Sequence, residues 1–492
     1  MTQHPTQLVA ENGRPKSPTP WSWRRVVRSL LSPVSDERRS INRRRWQSLP
    51  EHLRVPQQTM GRGHHSCGAT HGVMERCNFA CTSCYLSSVA NATPPLEQAE
   101  VHRQLDELRA FLGPQGKAQI TSGEVTLLPL EVLGGYVSYA RRIGLDPMVM
   151  THGQRFLDEP EYLRRLVADF GLMKLSVHVD STQRGRRGWH RGQTERELDE
   201  VRSRYAQLIR RVRRETGRTV HAATTVTVTE HNLDQISDIV DWVLDNADAF
   251  RMISFQPVAA VGRTQDERIS DLGLDDVWQR ICAGLGRPVN RHALYFGHPE
   301  CHIICPVVVV RAGGERWVVE TSRQGKRWDQ AFLDRLMNAI GGFMTYDKPR
   351  WLNALQLLGL AAKHPLFVLE APAYGLYRLW GLRRALGRLL GHALRLRRIS
   401  IQPLAVVVHK FMSPEELETP LGRERLAACV FQLPVDGTMI PMCQMNATEL
   451  RLELNQDLRN RASQPEVAAP RQQRSRPLRA RDNGRERAAR LG

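Results

Sequence analysis

Between residues 68 and 258 short apolar or β-branched runs alternate with longer stretches whose apolar residues recur every three to four positions. Short runs of period two read as strands and the longer recurrence as amphipathic helices. Gly72-Val73-Met74 reads as a first strand before a helix over 96–112. Ala118-Gln119-Ile120-Thr121 leads into a helix over 130–143, and the strand 147–151 into a helix near 161–170. Strand 173–179 precedes a long charged helix near 195–216, strand 220–229 a helix over 233–246, and strand 250–257 closes the series. Such alternation predicts an α/β fold, a parallel sheet with right-handed crossovers curled into a partial (β/α)6, TIM-like barrel. In that architecture chemistry collects at the C-terminal ends of the strands.

The flanks change the picture. With 492 residues the chain exceeds one barrel domain. Four segments are expected: a disordered basic leader over 1–63, the barrel over 64–260, a C-terminal domain over 261–458, and a disordered arginine-rich tail over 459–492. Within the leader, residues 21–31 form one short amphipathic piece with two tryptophans. The formal net charge is +19, and residues 470–492 carry eight arginines against two acids, so part of that charge belongs to a stretch without apolar period. No uncharged apolar run is long enough to span a bilayer. Nine cysteines, an odd number, without an apolar leader, fit a reducing cytoplasm and metal ligation better than disulfides.

The densest chemical signal is Cys77-Asn78-Phe79-Ala80-Cys81-Thr82-Ser83-Cys84. Three thiolates on one loop can ligate three corners of a cubane iron-sulfur cluster and leave the fourth iron open. Structural zinc closes instead with four protein ligands, commonly in two spaced pairs, and no fourth cysteine lies nearby. The triplet resembles the signature of the radical S-adenosylmethionine enzymes, a resemblance covering roughly residues 68–258. It implies a [4Fe-4S] cluster on Cys77, Cys81 and Cys84, S-adenosylmethionine chelated at the open iron, and reductive cleavage to a 5'-deoxyadenosyl radical. The residue before the third cysteine, often aromatic in that family, is Ser83 here, and Tyr85 follows instead as the candidate adenine contact.

Ser122-Gly123-Glu124-Val125-Thr126, after the second strand, is similar to that family's Gly-Gly-Glu-Pro-Thr turn. The glycine is expected to let backbone approach the cofactor, and the Glu124 carboxylate with neighbouring carbonyls to hold its ammonium group. Period two sends Ser176, His178 and Asp180 to one face, the lumen of a barrel. The resemblance implies that ribose or substrate is held there; a plain hydrogen-bonded polar layer is the other reading for His178. Thr225, Thr227 and Thr229 share that ambiguity, and Gln256 is a candidate neighbour of adenine.

In the second half, Cys301 and Cys305 form one close pair, and Cys429 and Cys443 come from a distant segment. Four thiolates so arranged could complete an auxiliary iron-sulfur cluster. Cys282 is expected in the core, and Cys67 is assigned no role. The His-Pro-x-Cys piece at 298–301 and the Asp-Gly-x-x-x-Pro-x-Cys-x-x-Asn piece at 436–446 resemble those of radical enzymes related to tetraether-lipid synthase and to a pterin-methylating relative. Between them, residues 375–398 place Leu379, Leu386, Leu390 and Leu394 at helical spacing, with arginines and no acid, a pattern suited to an anionic lipid interface or to a helix with a solvated basic face.

The expected function is removal of hydrogen from a carbon, of a membrane lipid or isoprenoid chain, by a cytoplasmic enzyme served by a reductant such as ferredoxin or flavodoxin, with peripheral membrane contact. Radical modification of a pterin, peptide or cofactor precursor is the alternative, and an iron-sulfur electron-transfer protein a further one. Nucleic-acid binding is not expected, because aromatics are 6% of residues and stacking platforms are scarce.

Overall fold

The computed structural model describes residues 34–463 apart from 64, 266–271, 322, 324, 341–349, 382, 384–386, 389–390 and 393–398. The amphipathic piece at 21–31 and the arginine-rich stretch at 470–492 lie outside them, as does part of 375–398.

The strands are β1 (Cys67–Ala69), β2 (Lys117–Ile120), β3 (Asp146–Thr151), β4 (Lys174–His178), β5 (His221–Val228), β6 (Phe250–Pro257), β7 (His302–Ala312), β8 (Glu315–Glu320), β9 (Ile399–His409), β10 (Phe431–Val435) and β11 (Thr438–Pro441). They form one sheet in the order β11-β10-β1-β2-β3-β4-β5-β6-β9-β7-β8. The run from β10 through β1–β6 to β9 is parallel throughout, while β11 and the β7–β8 ribbon add antiparallel edges. The sheet is thus wider than the six strands expected. The boundary placed near residue 260 does not divide it, because the C-terminal half adds strands to both of its sides.

Crossover helices α2 (Gln98–Leu112), α3 (Leu130–Arg142), α4 (Pro160–Ala168), α5 (Asp199–Thr216) and α6 (Ile236–Asp245) follow α1 (Asp36–Ser48) and cover the outer face. Alternation along each strand sorts the side chains. Val149, Leu175, Val177, Val226, Ile253 and Phe255 pack with Leu105, Leu133, Leu163, Ile209 and Val240 of the helices in one core. Each such buried side chain contributes about 1.5–3 kcal/mol. The intervening residues, among them Ser176, His178, Thr225, Thr227 and Ser254, turn to the concave side. The first strand lies five residues before the Gly72-Val73-Met74 run, which makes a turn before the cysteine loop.

The leader departs from expectation over its last thirty residues. Ser35 caps α1 by accepting from the Arg38 N–H, the preferred role of serine at that position. Leu49, Leu53 and Met60 are buried against Phe296, Ala428 and Val430. Low hydrophobicity hid this piece, since three apolar side chains suffice to anchor it. No described helix is long and apolar enough to cross a membrane.

His65 lies at this junction, buried with its ring edge-on to Phe111. Burial, then the charges of Arg45, Arg44 and Arg38, push its pKa down to about 3. The unfolded chain takes up that proton near pH 6.5, the folded chain only near 3, so His65 costs no stability above pH 6.5 and destabilises progressively as pH falls. Urea unfolding at pH 6.5 and 5 is expected to show an acid slope that H65F reduces by about 1.1 kcal/mol per pH unit; an unchanged slope contradicts the assignment.

Candidate functional site

Cys77, Cys81 and Cys84 share the loop that follows β1, and each is half-buried. The loop is pinned from several sides by chain that leaves the C-terminal ends of other strands. After β2, the Gly123 N–H donates to the Met74 carbonyl at 2.9 Å and the Glu124 N–H to that of Arg76 at 2.9 Å. After β4, the Arg184 and Thr182 carbonyls accept from the Ala80 N–H at 2.7 Å and the Thr82 N–H at 3.0 Å. After β6, the Arg263 N–H donates to the Cys84 carbonyl at 2.9 Å and the Gln265 N–H to that of Thr82 at 2.7 Å. A Cβ on Gly123 would stand 2.2 Å from the Glu75 carbonyl oxygen, and one on Gly262 2.4 Å from that of Tyr85. Glycine at 123 therefore admits the protein's own backbone.

The Glu124 carboxylate is engaged within the protein too. It is buried and accepts from the Thr126 N–H at 3.0 Å, the Thr126 and Thr151 hydroxyls, and the His152 N–H at 2.8 Å. Three donors meet Oε1 and one meets Oε2, so it joins the loops after β2 and β3. Tyr85 is engaged as well: its hydroxyl donates to the Ser122 carbonyl at 2.7 Å, and the Arg451 guanidinium lies 5.0 Å from its ring centre.

Phe79 is clamped in the middle of the loop. The His152 ring stacks on it at 3.7 Å and 4°, and the Arg186 guanidinium lies 5.3 Å from its centre. His152 Nδ1 accepts from the Gln154 N–H at 3.1 Å, so Nε2 carries the proton and donates to Asn78 Oδ1 at 2.8 Å. Burial pushes the pKa of His152 down to about 4, keeping it neutral. Arg186 donates to the His152 and His178 carbonyls at 2.9 and 2.7 Å. Neither residue stood out in the sequence, because a lone histidine or arginine after a strand has no pattern of its own.

The thiols feel one another: Cys84 and Cys77 each raise the Cys81 thiol, which burial first pushes up. Asp180 also acts on Cys81, and Glu124 on Cys77, so the cysteine loop and the strand ends meet in one place. Two donors are aimed at sulfur, the Phe79 N–H at Cys77 Sγ and Arg263 Nε at Cys84 Sγ, both at 3.4 Å. Among the described residues no three ligating side chains converge on a single ion.

Beside this loop, Asp180 accepts from the Thr182 N–H at 2.9 Å, its hydroxyl at 2.6 Å and the Thr227 N–H at 2.7 Å, and meets His178 Nε2 at 2.5 Å. Burial alone would raise the Asp180 carboxyl, but His178 and these hydrogen bonds hold it low. Thr227 Oγ1 lies 3.1 Å from His178 Nε2, and Ser176 Oγ 3.1 Å from Thr225 Oγ1. Asp180 is thus fixed within the protein, whereas His178, about 30% exposed in its side chain, still offers ring surface to the lumen. Gln256 is half-buried and paired in register with Thr227.

The second group of cysteines is smaller than expected. Cys301 before β7, Cys429 before β10 and Cys443 on the helix Met442–Ala447 are buried and influence one another: Cys301 raises Cys429, and both raise Cys443, after burial in each case. Arg425 Nε donates to Cys301 Sγ at 3.0 Å. Cys305 does not join them. It sits in the main core with Ile303 and Val307 and feels Cys282 from that side, because β7 sends its odd-numbered residues to the helix-covered face.

The C-terminal helix Leu450–Ala462 supplies a support the sequence did not announce. Glu75, just before Cys77, is buried and accepts from the Gly72 N–H at 2.9 Å, Arg451 Nη1 at 3.3 Å and Asn455 Nδ2 at 3.3 Å. Burial alone would raise its carboxyl; Arg451 and the Gly72 N–H hold it down.

No family model and no curated protein matches this chain. Among the 33 solved chains that match, one described as a histidine-tagged anSMEcpe "with bound AdoMet" aligns over 44% of this chain and 57% of its own, at 14% identity and a TM-score of 0.32. The chain therefore spans a little over half the length of that structure, and the likeness is too slight to assign a role to any residue.

Arg451→Met leaves Glu75 buried without its cation, a loss of about 3–5 kcal/mol. Urea unfolding and the iron bound per chain after anaerobic reconstitution are both expected to fall; a stability loss below about 1 kcal/mol would mean that this pair does not support the loop.

Proposed function

We propose that this chain is a radical S-adenosylmethionine enzyme whose Cys77, Cys81 and Cys84 hold a [4Fe-4S] cluster at the mouth of the curled sheet. The observation that carries this reading is the meeting, at one rim, of three half-buried thiols on a single loop with the polar row of β4 and β5. A cluster held by these cysteines would supply one electron, drawn from a reductant such as ferredoxin or flavodoxin, for the reductive cleavage of S-adenosylmethionine to methionine and a radical that would take a hydrogen atom from a substrate carbon, leaving 5'-deoxyadenosine.

The protein's part is positioning and exclusion of water. Arg263 places a cation beside Cys84. With Glu124 Oε1 engaged by three donors, Oε2 and backbone groups near the cysteine loop are left to meet the cofactor's ammonium. His178, oriented by Asp180 and Thr227, presents its ring where the ribose or substrate is held, and Gln256 stands across from Thr227 in the same row. Met148 and Met150 alternate with core-facing Val149, and Met252 with Ile253, so thioethers line part of the concave side. Flexible, polarizable side chains accommodate a hydrocarbon, which favours a lipid or isoprenoid chain as substrate. Cys301, Cys429 and Cys443 hold an auxiliary cluster in this reading, with three protein thiolates and Arg425 as a charged neighbour.

Anaerobic reconstitution, reduction and measurement of 5'-deoxyadenosine formed from S-adenosylmethionine test the proposal. Wild type is expected to cleave the cofactor, and a Cys77, Cys81, Cys84 triple alanine variant to lose cleavage while keeping the auxiliary iron. Cys301→Ala should lower iron per chain and Cys305→Ala should not. Absence of cleavage by iron-loaded, reduced wild type, with candidate substrates present, would overturn the proposal in favour of electron transfer.

A further inference from the structure

The segment between β8 and β9 carries three helices, Arg327–Ile340, Arg350–Lys363 and Pro365–Gly381. The last is inverted for a helix at a protein surface. Its inward face bears Phe367, Glu370, Tyr374 and Arg378: Phe332 stacks on Phe367 at 5.4 Å and on Tyr374 at 4.0 Å, Glu370 accepts from Trp328 Nε1 at 2.8 Å and pairs with Arg335, and Arg378 donates to the Thr321 carbonyl at 2.8 Å. Its outward face is aliphatic. Leu366, Leu369, Leu376 and Trp380 are 77%, 74%, 68% and 71% exposed, and their spacing places them on one stripe with Ala373. The preceding helix continues the surface with Trp351, Leu357 and Leu358, also exposed. Single exposed leucines are ordinary; a continuous apolar stripe marks an interaction surface.

We propose that this stripe docks the protein on the surface of an anionic bilayer. Two features choose that occupant over a protein partner. The charge borne at the ends of the two apolar helices is basic: Lys363 and Arg383 are exposed, and the acid of the second helix, Glu370, is turned inward and paired with Arg335. Trp351 and Trp380 are both exposed, and the Arg383 guanidinium lies 5.7 Å from the Trp380 ring centre. Amphipathic aromatics flanked by cations suit the depth where acyl chains meet headgroups. The helix lies along the membrane and does not cross it, consistent with the absence of a spanning helix among the described residues. The stripe stands independently of the radical reading, but docking would bring a lipid substrate close to the enzyme that uses it. It differs from the 375–398 pattern read in the sequence, since Leu366 and Leu369 precede that segment and none of its four main side chains belongs to the Leu379, Leu386, Leu390 and Leu394 repeat.

Flotation of the reconstituted full chain with vesicles of phosphatidylcholine alone or mixed with phosphatidylglycerol tests this. Wild type is expected to float with the anionic vesicles, to bind neutral ones at least tenfold less, and to be released as salt rises from about 0.1 to about 0.5 M. A variant carrying L366E, L369E and L376E should lose at least tenfold in anionic-vesicle binding with an unchanged melting temperature. Cleavage of S-adenosylmethionine in vesicle-free solution, measured in parallel, separates failure of docking from failure of the radical assignment. Wild type remaining with the soluble fraction, or floating equally with both vesicle types, would overturn the proposal, as would a lipid-free dimer that the variant dissociates, which would assign the stripe to a second copy of the chain.

Discussion

Three thiols proposed to serve one cluster cannot sit on a free loop, because each loop conformation would present them differently. The backbone hydrogen bonds that tie residues 74–84 to chain leaving β2, β4 and β6 are the constraint on which the rest of the site depends. They are made by N–H and carbonyl groups, so side-chain identity matters only where backbones must touch, at Gly123 and Gly262. The curled parallel sheet makes this possible, since it brings the ends of strands distant in sequence to one rim. Phe79, held between His152 and Arg186, then fixes the middle of the loop from the lumen side.

The wider sheet gives the same loop a second foundation. β10 lies beside β1, so the segment bearing Cys429 and Cys443 enters next to the strand that feeds the cysteine loop. The helix that follows delivers Arg451 and Asn455 to Glu75, two residues before Cys77. Folding of the C-terminal half is thereby coupled to the geometry of the N-terminal loop. A buried acid at that position is tolerable only with its cation in place, which ties the two halves energetically as well as spatially.

The alternation of strands and helices between residues 68 and 258 was legible because its cause is local: period two and period 3.6 are written in neighbouring residues. Strands β2 to β6 fall within a residue or so of the expected runs. β9 and β10 were not legible as members of the same sheet, since pairing across hundreds of residues leaves no periodic mark. Ser176, His178 and Asp180 turn to the lumen as period two requires, whereas Cys305 followed the same rule away from its supposed partners. Gly123, Glu124 and Tyr85 were picked out by pattern, but their contacts are with the protein itself. His152, Arg186 and Arg451 carry no motif, and only the fold brings them to the loop.

The most direct test of the central claim is the electron paramagnetic resonance spectrum of the reduced, iron-loaded protein with and without S-adenosylmethionine. If Cys77, Cys81 and Cys84 leave one iron open to the cofactor, its addition shifts the g values in wild type and produces no such shift in the triple alanine variant. A wild-type spectrum indifferent to S-adenosylmethionine, with the cluster present, would contradict the account.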